Sequence, residues 1–259
     1  MRARVAAAAA LLGACGADAP APERTDLNPA DAVSGYTFLT PETQALQDDD
    51  FANPGFLWVD QGRALFASTD GVSASCASCH EAPGLAAAAP THPKIDAASG
   101  DLVNLEGRIN LCRARYQDAE PLPYESEALL SLTAYVASLS RGAPMSVVVD
   151  GAAQASYAMG RDYFFTRRGQ LNLACSQCHD DNWGRKLRGD TISQGHGNGF
   201  PAYRLEWQGL GSLHRRFQDC DAGVRAAPLD AGSDTYVALE LYLAARSEGL
   251  AMETPAVRR

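Results

Sequence analysis

The sequence predicts an all-α protein built from two tandem domains, and three observations carry that expectation. The pattern C-x-x-C-H occurs twice, as Cys76-Ala-Ser-Cys79-His80 and as Cys175-Ser-Gln-Cys178-His179, 99 residues apart. A similar pentapeptide precedes each copy, Gly62-Arg-Ala-Leu-Phe66 and Gly160-Arg-Asp-Tyr-Phe164, at an offset of 98. An apolar pattern with helical spacing closes each half. Leu132, Tyr135 and Val136 share one helical face, as do Leu239, Tyr242 and Leu243. Both patterns run out at a glycine, Gly142 and Gly249, where a helix C-cap is expected.

Composition sets the class. Of 259 residues, 46% are hydrophobic and 20% charged, as in a globular chain. The formal charge is −9 and no Lys/Arg tract stands out, so nucleic acid is not an expected partner. The longest apolar run, Val5 to Leu12, is far shorter than the ~20 residues of a membrane span.

The N-terminus reads as an export signal over 1–15. Arg2 and Arg4 precede the apolar run, and small residues follow. Leu12-Gly13-Ala14-Cys15 resembles a lipobox, with Cys15 as the site of a lipid anchor. The alternative is ordinary cleavage near Ala17-Asp18-Ala19, just ahead of Pro20. Export places the protein in the periplasm, as a soluble or a membrane-anchored form. Residues 16–35 are rich in Ala and Pro at their start, lack periodicity and read as a tether.

The cysteine spacing names a cofactor. In C-x-x-C-H two thiols can reach the two vinyl groups of one porphyrin, and the following histidine can meet its iron. Two copies predict two covalently bound haems c: Cys76 and Cys79 with His80 on the iron, then Cys175 and Cys178 with His179. Zinc would need four clustered ligands, and a redox dithiol would not require histidine after both motifs. The helix order resembles the cytochrome c fold, with one haem per domain. Domain 1 covers 36–142, a linker 143–156, and domain 2 157–259. Gly62 and Gly160 would let the helices approach closely, with Phe66 and Phe164 packed at the crossings.

The far side of each iron needs a ligand. Met145, Met159 and Met252 are poorly placed, because each lies after a closing helix or between domains. Cys112 and Cys220 are better placed. They stand 108 residues apart, in step with the repeat, and each has an arginine four residues earlier, Arg108 and Arg216. On a helix these pairs share a face, which sets a cation beside each thiol. Iron and arginine both favour a thiolate. A Cys112–Cys220 disulfide is the alternative for an exported chain.

Longer motifs carry a family resemblance. They are Thr40 to Gly55, Asn104-Leu-Glu-Gly-Arg-Ile-Asn-Leu-Cys112, Arg167-Arg-Gly-Gln-Leu171, Gln194-Gly-His-Gly-Asn-Gly-Phe-Pro201, Arg204-Leu-Glu-Trp-Gln208 and the ending Glu253 to Arg259. From about Gly35 onward the chain resembles SoxA, the dihaem subunit of the SoxAX cytochrome of bacterial thiosulfate oxidation. The resemblance implies His/Cys ligation at both haems. It implies an L-cysteine S-thiosulfotransferase that couples thiosulfate to a cysteine of SoxY in the SoxYZ carrier and passes two electrons to cytochrome c, with SoxX as partner subunit. It puts the active haem in domain 2, with Cys220 as a persulfide-bearing ligand and Arg216 as the substrate-binding residue. A tetrathionate-forming thiosulfate dehydrogenase and a non-enzymic dihaem electron carrier are the alternatives. Arg215 beside Arg216 adds a second guanidinium suited to an oxyanion. Arg167, Arg168, Arg185 and Arg188 are expected partners of haem propionates, and His196 and His214 of propionates or backbone. Lys186 and Trp183 are expected surface and packing residues.

Overall fold

Thr40 starts the first long helix. Its hydroxyl accepts the Thr43 N–H and Pro41 opens α1, Pro41–Asp48. In the computed structural model, which describes residues 26–259, each C-x-x-C-H motif follows a helix that lies against the helix closing its half. In the first half these are α2, Phe56–Ala67, and, beyond α3, Leu105–Tyr116, the closing helix α4, Glu127–Ser138. The second half repeats the plan with α5, Gln154–Phe165, the motif helix α6, Cys175–His179, then α7, Leu213–Gly223, and α8, Asp234–Arg246.

The repeated glycines make the crossings. A Cβ on Gly62 would lie 1.9 Å from the Ser131 carbonyl oxygen, and one on Gly160 would lie 1.9 Å from that of Ala238. No side chain fits either place, so the backbones touch. The repeated phenylalanines pack there, Phe66 edge-on to Tyr135 at 5.3 Å and Phe164 against Tyr242 at 5.2 Å. Gly142 and Gly249, at φ of 84° and 80°, follow the closing helices. The two cysteine-bearing helices, α3 and α7, begin at Asn104 and Ser212, whose side chains cap Gly107 and Arg215 N–H groups at 2.9 and 3.1 Å.

The expectation of an all-α chain needs correction, because short strands occur in both halves. β1, Lys94–Ile95, pairs antiparallel with β2, Leu102–Val103, just before α3. β3, Lys186–Leu187, pairs with β4, Asp190–Thr191. Before α7, β5, Ala202–Arg204, pairs antiparallel with β6, Gly209–Gly211, and parallel with the C-terminal β7, Ala256–Arg258. Strands of two or three residues are too short to show a period.

The halves are laced together. The C-terminal tail reaches the first half: Gln47 Oε1 accepts the Val257 N–H at 3.0 Å and Asn53 donates to the Pro255 carbonyl at 2.8 Å. Met145 and Met252 are both buried, and the Met145 N–H bonds the Leu250 carbonyl at 2.8 Å. Residues 26–35, expected as tether, are instead tied to the second half. Asp26 pairs with Arg161 at 2.9 Å and accepts from Tyr242 at 2.8 Å, Val33 N–H bonds Gln194 at 2.6 Å, and Ser34 bonds Glu253. The export signal, Cys15 and residues 16–25 lie outside the described residues. Among the described residues no helix is long and apolar enough to cross a membrane.

Candidate functional site

In the second half α6 is the C-x-x-C-H motif itself. His179 Nδ1 lies 2.7 Å from the Ser193 carbonyl oxygen. A carbonyl only accepts, so Nδ1 carries the proton and Nε2 keeps a free lone pair, the form a metal needs. Burial lowers the His179 pKa to about 4, so the ring is neutral. Gly195 backs the ring: its φ is 79°, and a Cβ there would lie 2.9 Å from His179 Cγ. The Gly/His segment thus acts as a wall for this imidazole.

The thiol of Cys220 arrives from α7. It is close enough to Cys175 and Cys178 for its charge to raise the pKa of both. Burial is the larger cause at Cys175, pushing that thiol up to about 12, while Arg168 opposes it. The adjacent Asp221 fixes the end of α7. It is buried and accepts from Tyr163 and Tyr236 at 2.7 Å each, and it pairs with Arg168 at 3.3 Å. Arg168 also stacks on Tyr163 at 3.6 Å and reaches Cys175 Sγ at 3.8 Å. It is therefore a clamp on the protein, where a propionate partner was expected. Sequence reading missed Asp221 and its tyrosines, since partners 58 and 15 residues away leave no local pattern.

The first half is assembled more openly. Ser75 caps a short turn over Cys76–Ser78, accepting the Ser78 N–H at 3.1 Å. Gln117 donates to Cys76 Sγ at 3.4 Å, while Cys79 and His80 are exposed. Cys112, on α3, is near enough to Cys76 to feel its charge. Burial raises the Cys112 pKa, and Arg108 opposes that only in part. Arg108 thus lowers this thiol as expected, but burial outweighs it. The six described cysteines are all free thiols, so Cys112 and Cys220 form no disulfide with each other.

The repeated arginines have different surroundings. Arg108 pairs with Asp96 at 2.8 Å, and Arg115 holds the other oxygen of the same carboxylate at 2.7 Å. Asp96 is 2% exposed, and the hydrogen bond from Arg115 leads the causes that hold its pKa well below the usual carboxylate range. Arg216 has no ion pair and no side-chain hydrogen bond among the described residues. Glu206 lies within its field but is bonded to Arg204 at 3.0 Å. Arg215 is spent on Trp207, 4.2 Å from the ring centroid. Among the described residues the second half therefore offers an uncommitted guanidinium on the helix of its third thiol.

Both halves suit a covalent haem by donor chemistry: two thiols, one imidazole and a third thiol apiece. The second half adds buried donors in want of acceptors. Arg204 and Arg246 are 5% and 3% exposed, yet Arg204 Nε and Arg246 Nε and Nη1 have no hydrogen-bond partner. The carboxylates of a porphyrin would supply such acceptors. Arg246 is already held by Asp180 at 2.6 Å and lies over Phe164 at 4.6 Å. His196, half-buried, and His214, buried, both have protein partners. His196 meets Ser247 and Gln194 at 3.0 Å each, and His214 accepts the Gly232 N–H at 2.9 Å. Trp183 packs edge-on to Phe38 at 6.1 Å, and Lys186 is exposed and bonds Thr191 at 2.6 Å.

Comparison with known proteins agrees. The chain is 41% identical over 228 residues to the L-cysteine S-thiosulfotransferase subunit SoxA of Rhodovulum sulfidophilum, covering 87% of this chain and 79% of that one. The chain belongs to the SoxA family. The SoxA of Pseudaminobacter salicylatoxidans is 40% identical, with 88% and 82% covered. The SoxA/TsdA cytochrome c domain family matches residues 61–145. The crystal structure of SoxXA from P. pantotrophus superposes with a TM-score of 0.85 at 36% identity, covering 88% of this chain and 87% of that one. As a SoxA-family chain with a cytochrome c domain, the protein binds haem c covalently.

Proposed function

We propose that this SoxA-family chain carries two covalent haems c in two tandem cytochrome c-type domains, over 36–142 and 157–259, and catalyses L-cysteine S-thiosulfotransfer at the second. Cys76 and Cys79 would hold the first haem, with His80 and Cys112 on its iron. Cys175 and Cys178 would hold the second, with His179 and Cys220. The substrates are thiosulfate and a cysteine thiol of the SoxYZ carrier. One S–S bond forms between the sulfane sulfur and the carrier sulfur, one thiol proton is released, and two electrons leave. The haem, when bound, supplies the acceptor for those electrons on their way to cytochrome c. SoxX is the partner subunit by likeness to SoxXA. The site of action is the periplasm, with a lipid anchor at Cys15 as the membrane-bound alternative.

The contrast between Arg108 and Arg216 carries this reading. Thiosulfate is a dianion, and a guanidinium already bonded to Asp96 has little to offer it. Among the described residues Arg216 has no partner for its fork, one helical turn from Cys220. It would hold the sulfonate oxygens and turn the sulfane sulfur toward the Cys220 sulfur, which carries sulfur as a persulfide. Asp221, clamped by Arg168 and two tyrosines, keeps that end of α7 still. Holding a reactant at a fixed distance is itself a large part of catalysis.

The test compares carrier-dependent thiosulfate oxidation by Cys220→Met and Cys112→Met, each checked for haem content. Cys220→Met is expected to retain haem and lose sulfur transfer, with Cys112→Met milder. An active Cys220→Met beside a dead Cys112→Met would place the chemistry in the wrong half. Full turnover without carrier, with tetrathionate as product, would support a thiosulfate dehydrogenase instead.

A further inference from the structure

The first turns of the two cysteine-bearing helices meet in the protein interior. Asn104, the N-cap of α3, donates from Nδ2 to Glu240 Oε2 at 3.0 Å. His214, in the first turn of α7, brings Nε2 within 3.1 Å of the same oxygen, off the line of a good hydrogen bond. The Gly232 N–H donates to His214 Nδ1, so the neutral ring carries its proton on Nε2, toward Glu240. Tyr124 bonds Asn104 at 2.9 Å and stacks on His214, rings 5.7 Å apart and 1° from parallel. Glu106 and His214 are equivalent positions in the repeat, 108 residues apart. The repeat thus gathers its own matching turns around one carboxylate of α8.

Glu106, Glu240 and His92 line a cavity of about 40 Å³. His92 is 6% exposed, and its Nε2 has no hydrogen-bond partner. Its Nδ1 bonds the Ala88 carbonyl at 2.7 Å and so carries the ring proton, which leaves Nε2 as a bare acceptor. The Thr133 hydroxyl, also on the cavity wall, is donated to Leu129. A protonated carboxyl on the cavity wall, directly or through a water, would supply the missing donor. The charged and titratable groups facing Glu106 give its carboxylate little support. Glu240 comes from α8 and Glu125 from the turn before α4, with Tyr124 beside it. Across the cavity, Lys94 and Arg108 act on His92, Arg108 being tied to Asp96, and His214 of α7 meets Glu240.

We propose that Glu106 is a proton-binding site that couples the two halves: protonated, it leaves the neighbouring Glu240 carboxylate to hold Asn104 at the start of α3 and His214 in the first turn of α7, and when the proton leaves to solvent the repulsion between the two carboxylates loosens that junction and displaces both distal thiols, Cys112 and Cys220. Burial and the Glu240 charge push the Glu106 pKa up to about 8, which sets the range of the transition. The coupling of the thiols to haem signals rests on the ligation proposed above.

The holoprotein tests this in two measurements. Infrared spectroscopy at neutral pH is expected to show a buried carboxylic-acid carbonyl that Glu106→Gln removes. The low-spin ferric signals of the two haems, followed from neutral to alkaline pH, are expected to change together in one proton step near pH 8. In Glu106→Gln both signals should hold their neutral-pH form throughout. In Glu240→Gln, which keeps an acceptor for Asn104 and removes the repulsion, the joint midpoint should move to lower pH, toward the ordinary carboxylate range, so that the proton concentration at the midpoint rises at least threefold. Absence of the carbonyl band, or two signals that titrate separately, or an unaltered titration in either variant, overturns the proposal. If a haem lacks a thiolate signature at neutral pH, the ligation reading fails and the coupling with it, and the infrared band still decides whether Glu106 binds the proton.

Discussion

Arg108 and Arg216 hold equal places in the repeat and unequal places in the electrostatics. The first is half of a carboxylate clamp; the second has no ion pair or side-chain hydrogen bond among the described residues and lies near enough to His179 for its charge to act on that ring. Arg216→Ala is expected to lower kcat/KM for thiosulfate by roughly 10–150-fold, the loss of about 1.5–3 kcal/mol of charge-assisted hydrogen bonding. Arg108→Ala should leave that ratio within a few-fold. Steady-state kinetics with the carrier in excess checks both, and equal losses would end the distinction. Asp221 makes a second residue-scale prediction. Removing its charge leaves Arg168 without its anion in a largely buried setting, and Asp221→Ala should cost about 3–5 kcal/mol of stability by urea unfolding. A cost below about 1 kcal/mol would show that Arg168 finds other partners.

At the scale of elements, the helices were legible because their signals are local. Caps, glycines and an apolar face occupy a few turns, and the i, i+4 spacing of Arg and Cys survives intact in α3 and α7. The strands were not legible, since β1 to β7 each span two or three residues, too few to show a period, and β7 pairs with a strand more than fifty residues earlier. The docking of residues 26–35 on the second half was hidden for the same reason, as was the sequestering of Arg108 by Asp96. The cysteines and histidines of the site were readable from spacing, whereas the difference between its two halves was not, because it lies in what each arginine touches. The crossings give a prediction at this scale. Gly62→Ala or Gly160→Ala would drive a methyl group into a backbone carbonyl 1.9 Å away, so the helices must separate. Either change should destabilise the fold by about 3 kcal/mol, the upper end of the usual overpacking range. Thermal melting of the haem-loaded variants checks this, and an unchanged midpoint would mean the helices can slide apart freely.

For the whole molecule, opposed buried groups set a pH optimum for stability. Burial lowers the His92 pKa to about 4 and the His196 pKa to about 3, so both rings stay neutral in the native state. Below the ordinary histidine value of about 6.5 the unfolded chain takes up protons that the native chain refuses, and stability falls with falling pH. Glu106 works the other way. Its native pKa is raised to about 8, chiefly by burial and next by Glu240. Its contribution is complete below the unfolded value of about 4.5 and is lost as pH rises to about 8, because the native state keeps a proton that the unfolded chain has released. Between about pH 4.5 and 6.5 two histidines outweigh one carboxyl, so stability climbs with pH; above that range the carboxyl acts alone and stability declines. The urea midpoint of the holoprotein should therefore peak near pH 6.5, with an alkaline slope of at most about 1.4 kcal/mol per pH unit for one proton. Glu106→Gln should flatten the alkaline side and leave the acid side in place. A parent midpoint that keeps rising from about pH 6.5 to pH 8, or a variant that declines as steeply as the parent, would show that Glu106 is ionised in the folded protein and that its burial beside Glu240 is relieved in solution.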